Sequence, residues 1–354
     1  MTRDAATAHR AVAIAELDDA LVAARSAFAR AASATVGVEW VAAVAGEPVR
    51  FRFAGDALID HLVPAIEHLE VSDRLPVLTV NVWDTASTGA PVPFLAGDEP
   101  AGVPARAVVG RSHAASFSWE RGVFEGFDRD AGEAWFAVRS PDVLTHGERG
   151  APFRLVFHWW SAPRRALAHA GAVGLDGAGL LLVGPGGAGK SSTALTCAEA
   201  GFEYAADDYC LVTADPVPIG FGLYGTGKVW PDDVGLYPTL RDTIGSLAHA
   251  RDDKALFVVS RSRRSAVAAV LPLCAIVVPR LGSTRESRAT RASGSRALQA
   301  LAPSTVAQLA GGAASTVRVL AELSRALPCF ELELGTDRSR VPDAVASVIA
   351  EANA

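Results

Sequence analysis

The apolar run Leu181-Leu182-Val183 passes directly into Gly184-Pro185-Gly186-Gly187-Ala188-Gly189-Lys190-Ser191, and no other stretch constrains the fold as tightly. Glycines at this density cannot continue a strand, and a helical pattern resumes only over residues 190–200, closed by Gly201 where a left-handed cap is expected. Strand, loop and helix in that order form the context that gives G-x-x-x-x-G-K-[ST] its meaning. The glycines let successive N–H groups turn inward as a nest for anionic oxygens, and the helix adds the positive end of its dipole. Such a loop is built for the phosphates of a nucleoside triphosphate. Gly184, Pro185, Gly186, Gly187, Ala188, Gly189, Lys190, Ser191 and Ser192 are its candidate contacts. Lys190 reaches the β- and γ-phosphates and the Ser191 hydroxyl suits Mg²⁺. No guanine-reading motif is present, so ATP is the expected nucleotide.

Past the helix, Ala206-Asp207-Asp208 precedes the apolar residues 209–212. Two adjacent carboxylates at a strand end beside such a loop suit two tasks. One can hold Mg²⁺, directly or through water, and the other can accept a proton from an attacking hydroxyl. Neighbours on a strand face opposite ways, so the roles need not be shared. His169 lies upstream, before a hairpin over residues 172–183 whose turn is Asp176-Gly177. Of 33 basic residues other than histidine only three are lysines, Lys190, Lys228 and Lys254. A lysine is a compact point charge that enters a phosphate site where the guanidinium fork is broad. Lys228 and Lys254 therefore join Lys190 as candidate phosphate contacts.

The remaining sequence sets the surroundings. At 354 residues there is room for two domains. Residues 9–32 carry apolar positions at helical spacing, followed by strand-like runs at 36–44, 49–53 and 77–82, with a helix expected over 57–69. A Gly- and Pro-rich connection covers 88–104, and further strands are expected at 107–109, 116–119 and 134–138. Trp40, Trp83, Trp119 and Trp135 read as core or interface. A helix is expected at 153–160, two more at 297–301 and 305–309, then 316–327, a strand at 329–334 and a closing helix at 341–352. A formal charge of −6 argues against nucleic acid as the partner, and the arginine-rich residues 280–296 read as a solvated face. The apolar run 266–278 is broken by Pro272 and too short to span a bilayer, so no membrane partner is expected. Asp4, Glu16, Asp18 and Asp19 interrupt residues 1–32, which cannot then serve as a signal peptide's apolar core. Four scattered cysteines, with no C-x-x-C pair, read as buried free thiols in a reducing compartment. The expected location is cytoplasmic.

His169-Ala-Gly, the hairpin, Gly-Pro-Gly-Gly-Ala-Gly-Lys-Ser, a short helix, Gly201-Phe and Ala206-Asp207-Asp208 together resemble the catalytic domain of bacterial HPr kinase/phosphorylase and its related proteins. The resemblance is strongest over residues 169–212 and leaves the first 150 unaccounted for. It implies an α/β fold: a P-loop kinase domain of the HPr kinase / phosphoenolpyruvate carboxykinase type over residues 151–354. A smaller α+β domain, residues 1–150, would precede it and could bind acceptor or partner. It further implies Asp208 as general base toward a serine hydroxyl, His169 assisting, Lys190 on phosphate, and Ser191 with Asp207 on Mg²⁺. Relatives often form rings, so the resemblance leaves room for a homo-oligomer, which nothing in the sequence itself shows. The family's Glu-x-Arg-Gly-x-Gly segment is absent. Its place holds Tyr224-Gly-Thr-Gly-Lys228-Val-Trp-Pro-Asp232-Asp233, where Asp232 or Asp233 could replace the missing carboxylate. Relatives with this shortened pattern resemble kinases that phosphorylate a serine in ribosomally made peptides, lasso peptides among them. The expected activity is ATP-dependent transfer of the γ-phosphoryl group to a hydroxyl, on a peptide or protein serine. A small-molecule hydroxyl kinase and a non-catalytic ATP-dependent switch are the alternatives.

Overall fold

The computed structural model describes residues 3–72, 74–94, 105–244, 254–262 and 267–354, with side chains from Ala15 onward. Residues 95–104 of the Gly- and Pro-rich connection, Ala266 of the apolar run, and the side chains of Asp4, Val12 and Ile14 lie outside that description.

A helix, Arg3–Ala34, opens the chain. Its Leu17, Leu21, Ala24, Phe28 and Ala31 recur at helical spacing and bury against Phe117, Phe124, Trp83 and Trp135. Those partners belong to a seven-stranded sheet: β1 (Gly37–Val44), β2 (Glu47–Ala54), β3 (Leu78–Asp84), β4 (Arg106–Val109), β5 (His113–Ser118), β6 (Val123–Asp128) and β7 (Glu133–Val138). The spatial order is β1-β2-β3-β7-β6-β5-β4. β3 runs parallel to both β2 and β7, and the other neighbours are antiparallel. Alternation splits the strands between two cores: Trp135 and Ala137 face the first helix, while Ala134, Phe136 and Val138 face the other way.

That second face meets the helix Arg154–Ser161, whose Phe157 and Trp159, with the preceding Phe153, join Phe51 and Phe136 in one cluster. The same cluster takes in Leu167, Leu211 and Leu223 from the second half of the chain, so it runs across residue 150 without a break.

The second sheet has nine strands: β8 (Ala166–Ala168), β9 (Gly171–Leu175), β10 (Ala178–Leu182), β11 (Glu203–Ala206), β12 (Cys210–Thr213), β13 (Ile219–Gly222), and, beyond the two-stranded ribbon of β14 (Thr226–Val229) and β15 (Ala255–Val258), β16 (Leu271–Leu281), β17 (Arg288–Ala292) and β18 (Cys329–Leu334). β16 is central, parallel to β10 on one side and β18 on the other. Leu180 and Leu182 point toward the helices Lys190–Glu199 and Val341–Asn353, and Leu181 toward Gly294–Gln308 and Ala313–Ala326. The molecule is thus a mixed α/β protein with a helix-covered mixed sheet. The β9–β10 turn is Asp176-Gly177, both at positive φ (52° and 77°), as a two-residue primed turn requires.

Two expectations need correction, and one strand was not expected. The helix over 57–69 is broken into Ile59–Leu62 and two 3₁₀ turns, because Pro64 lacks the N–H that would carry the helix on. The pair expected at 297–301 and 305–309 is one helix, Gly294–Gln308, running through Pro303: Ala297, Ala300, Leu301 and Thr305 bury on one face, and packing overrides the proline. Strand β6 was hidden by Glu125 and Gly126, which break the apolar alternation of its sequence. The arginines of residues 280–296 line β17 and its surroundings, where Arg280, Arg291 and Arg296 pair with Glu333, Glu351 and Glu331. Among the described residues no helix is long and apolar enough to cross a membrane.

Candidate active site

The loop after β10 begins with Val183, whose N–H still reaches Val277 of β16 (2.9 Å). Gly184, Gly187 and Gly189 then take φ of 148°, 80° and 101°, and Gly189 delivers the chain into the helix at Lys190. A Cβ on Gly189 would lie 2.4 Å from Leu334 Cδ1, so close packing as well as conformation requires glycine there. Lys190 is buried and folds back over the loop, Nζ donating to the carbonyls of Gly184 (2.8 Å) and Pro185 (3.2 Å). Burial lowers its pKa, against the pull of Asp208 and Asp207.

The next helical residue, Ser191, places its Oγ 3.5 Å from the Asp207 carbonyl, and its hydroxyl also bonds the Asp207 carboxylate. Asp207 and Asp208 follow β11, where the pairing with β9 slips between Tyr204 and Ala206. Lys228, on β14, holds both: its backbone N–H donates to Asp207 Oδ2 (3.0 Å) and its Nζ to Asp208 Oδ2 (2.5 Å). β14 is kept in place by Tyr204 Oη on the Thr226 carbonyl (2.5 Å) and by Gly227, where a Cβ would come 2.6 Å from Leu195 Cδ2. His169, between β8 and β9, brings Nε2 to 3.1 Å from the other Asp208 oxygen. Its Nδ1 lies 3.0 Å from Gln308 Nε2, and its own N–H donates to Thr305 Oγ1 (3.1 Å).

The neighbours drive the two carboxylates apart. Burial pushes Asp207 up, and the adjacent Asp208 adds to this, to about 6 against the partial relief of Lys228. Burial alone would raise Asp208 too, but Lys228 and His169 outweigh it and hold that carboxyl far below the usual range. Lys228 is raised: Asp208 and Asp207 outweigh its burial.

Of the residues singled out by sequence, His169, Lys190, Ser191, Asp207, Asp208 and Lys228 meet in one site. Lys254 stands over the Trp230 ring (5.1 Å to the centroid), near enough for its charge to oppose that of Lys190. Ser192 is half-buried in the first turn of the helix, on the side of Tyr237. Asp233 pairs with Arg338 (3.4 Å) and Asp232 stands on an exposed 3₁₀ turn, so no described contact brings either to the acid pair. Sequence reasoning missed Arg154, Tyr209, Gln308 and Glu125. Arg154 Nη1 donates to Tyr209 Oη (3.1 Å), and that hydroxyl donates to Gln308 Oε1. Two signals were available: Tyr209 adjoins the aspartate doublet, and Glu125 takes an inward position between Val123 and Phe127.

The donor set fits a small hard cation lying on phosphate. A hydroxyl and a buried carboxylate face each other, and Mg²⁺ with a nucleotide needs only one or two protein ligands, water and phosphate completing its shell. Among the described residues no group of three or more His, Cys, Asp or Glu side chains gathers as a metal cage.

No protein-family model matches the chain, and no curated protein matches it in sequence. Among solved structures, the Hpr(Ser) kinase/phosphatase from Coxiella burnetii is similar at a TM-score of 0.30 and 11% identity, over 52% of this chain and 97% of that one.

Proposed function

We propose that the chain is an ATP-dependent kinase that passes the γ-phosphoryl group to a hydroxyl, a serine of a peptide or protein. One observation carries this reading: a half-buried aspartate, Asp208, is gripped by Lys228 and His169 beside a glycine loop that presents Lys190 and Ser191. A nucleotide-dependent switch needs the loop but no acceptor base.

In this reading the loop amides and Lys190 bind the triphosphate, and Lys190 exchanges its two carbonyl partners for phosphate oxygens. Ser191 and Asp207 would hold Mg²⁺, which when bound neutralises charge on the β- and γ-phosphates. Asp208 orients the acceptor hydroxyl and takes its proton. A carboxyl held so low is a weak base while Lys228 grips it. A phosphate that draws Lys228 away raises its basicity when acceptor and nucleotide are both present. Positioning and electrostatics then do most of the work, as phosphoryl transfer requires.

The test is phosphopeptide mass spectrometry on lysate treated with Mg²⁺-ATP and wild-type protein, beside Asp208→Asn and Lys190→Ala. We expect phosphoserine with wild type only, ATP binding preserved in Asp208→Asn, and ATP binding weakened in Lys190→Ala. ADP release without new phosphopeptides would favour a small-molecule acceptor. Equal turnover in Asp208→Asn would remove the base from this assignment.

A further inference from the structure

The chain of hydrogen bonds behind His169 has a single direction. A guanidinium can only donate. Arg154 Nη1 lies 3.1 Å from Tyr209 Oη, so the phenol oxygen accepts there, and in the structure its own hydrogen is donated to Gln308 Oε1. With that hydrogen on Oε1, the Gln308 amide presents its NH₂ to His169 Nδ1, 3.0 Å away. Nδ1 therefore accepts and carries no hydrogen. The proton of the neutral ring sits on Nε2, 3.1 Å from Asp208 Oδ1. In the other tautomer two lone-pair-bearing atoms would face each other across that gap, and the contact would repel.

The geometry is held by packing. The Arg154 guanidinium lies over the Tyr209 ring (5.4 Å to its centroid), and the Tyr209 and His169 rings are tilted at 33° with centroids 5.4 Å apart. The far end is anchored in the first sheet. Glu125, on β6, accepts from the N–H groups of Leu155 (3.2 Å) and Val156 (3.4 Å), in the first turn of the helix that carries Arg154, and its charge attracts the guanidinium.

We propose that Arg154, Tyr209 and Gln308 are positioning residues that set the tautomer of His169 so that Nε2–H donates to Asp208, and that Glu125 ties this chain to the N-terminal sheet. The effect on rate rests on the reading of Asp208 as acceptor base; the tautomer does not.

The test uses full-length protein with ¹⁵N-labelled histidine. Long-range proton–nitrogen correlation is recorded at a pH of about 8.5, above the range of free imidazole. The His169 signal, one of eight histidines, is identified by its loss in His169→Gln. We expect a protonated Nε2 and a bare Nδ1 in wild type. Protonation of Nδ1, alone or with Nε2, would overturn the proposal. Two variants perturb the chain without emptying the core. Tyr209→Phe keeps the ring and frees the Gln308 amide to turn. Gln308→Glu, at an exposed position, puts an acceptor opposite Nδ1 and draws a proton there. An unchanged His169 spectrum in both would overturn the relay. In parallel, kcat for ADP release should fall about tenfold or more in both, with KM for ATP within about twofold of wild type, since only transition-state orientation is lost. A moved tautomer with unchanged kcat would overturn the positioning role. Absence of ADP release from wild type itself would defeat the kinase reading and leave the tautomer assignment standing.

Discussion

Lys228 joins the two aspartates by two different atoms, so its removal separates a backbone effect from a charge effect. Lys228→Met keeps the main-chain N–H on Asp207 but leaves Asp208 with His169 as its partner. A buried pair broken from one side costs about 3–5 kcal/mol. Asp208 is about a quarter exposed, so a loss on the order of 2 kcal/mol is expected here. Urea unfolding at neutral pH would measure it, and Lys228→Met,Asp208→Asn should recover most of the loss, because the stranded charge is gone. No recovery in the double variant would mean that Lys228 acts through packing of its methylenes. The lysine count pointed toward this residue, since a chain with so few lysines has put this one within reach of the phosphate loop. Which partner it holds could not be read from sequence, because Asp208 lies in the bend between β11 and β12 while Lys228 sits on β14, which pairs with β15 and not with either of those strands.

At the level of elements, Glu125 joins β6 to the helix Arg154–Ser161 by accepting two N–H groups that a helix start leaves unpaired. Burial raises its carboxyl from 4.5 to about 7, with Arg154 opposing. A carboxyl raised in the folded state binds a proton more readily there than in the unfolded chain. Its contribution is therefore fully present below pH 4.5 and is lost as pH rises through about 7. A shift of that size corresponds to roughly 3 kcal/mol. Wild-type unfolding free energy should fall by that order between about pH 4.5 and 8 relative to Glu125→Gln, which cannot ionise. Parallel pH profiles of the two proteins would show that Glu125 titrates normally. The hairpin, the glycine loop and its helix were legible in the sequence because each is local: an Asp-Gly turn, glycines at fixed spacing, a cap at Gly201. The strand β6 and the unbroken Gly294–Gln308 helix were not. In both, tertiary burial overrides local preference, by covering Glu125 in one and by packing past Pro303 in the other.

Across the whole molecule, the two sheets share both a core and a chain of polar contacts. Phe51 and Phe136 of the first sheet meet Phe153 and Phe157, with ring centroids 5.1 to 6.5 Å apart, and the same cluster continues to Leu167, Leu211 and Leu223. Each such side chain is worth about 1.5–3 kcal/mol when fully buried, so several together rival the net stability of an ordinary domain. Arg165 adds a tie from the second half, Nη1 reaching Glu47 Oε1 at 2.8 Å. The sequence expects a boundary near residue 150, and contacts of this kind make independent unfolding of the two sides costly. Urea unfolding of the full chain should therefore give one transition, seen equally by far-UV circular dichroism and by tryptophan fluorescence, which samples Trp83 and Trp135 on one side and Trp159 and Trp160 on the other. Residues 151–354 expressed alone should be insoluble or should bind a hydrophobic dye, because Phe153, Phe157 and Trp159 would lose their cover. Two separated transitions, with a soluble and ATP-binding 151–354 fragment, would mean instead that the N-terminal sheet is an accessory module. The His169 relay would then have to hold without its Glu125 anchor.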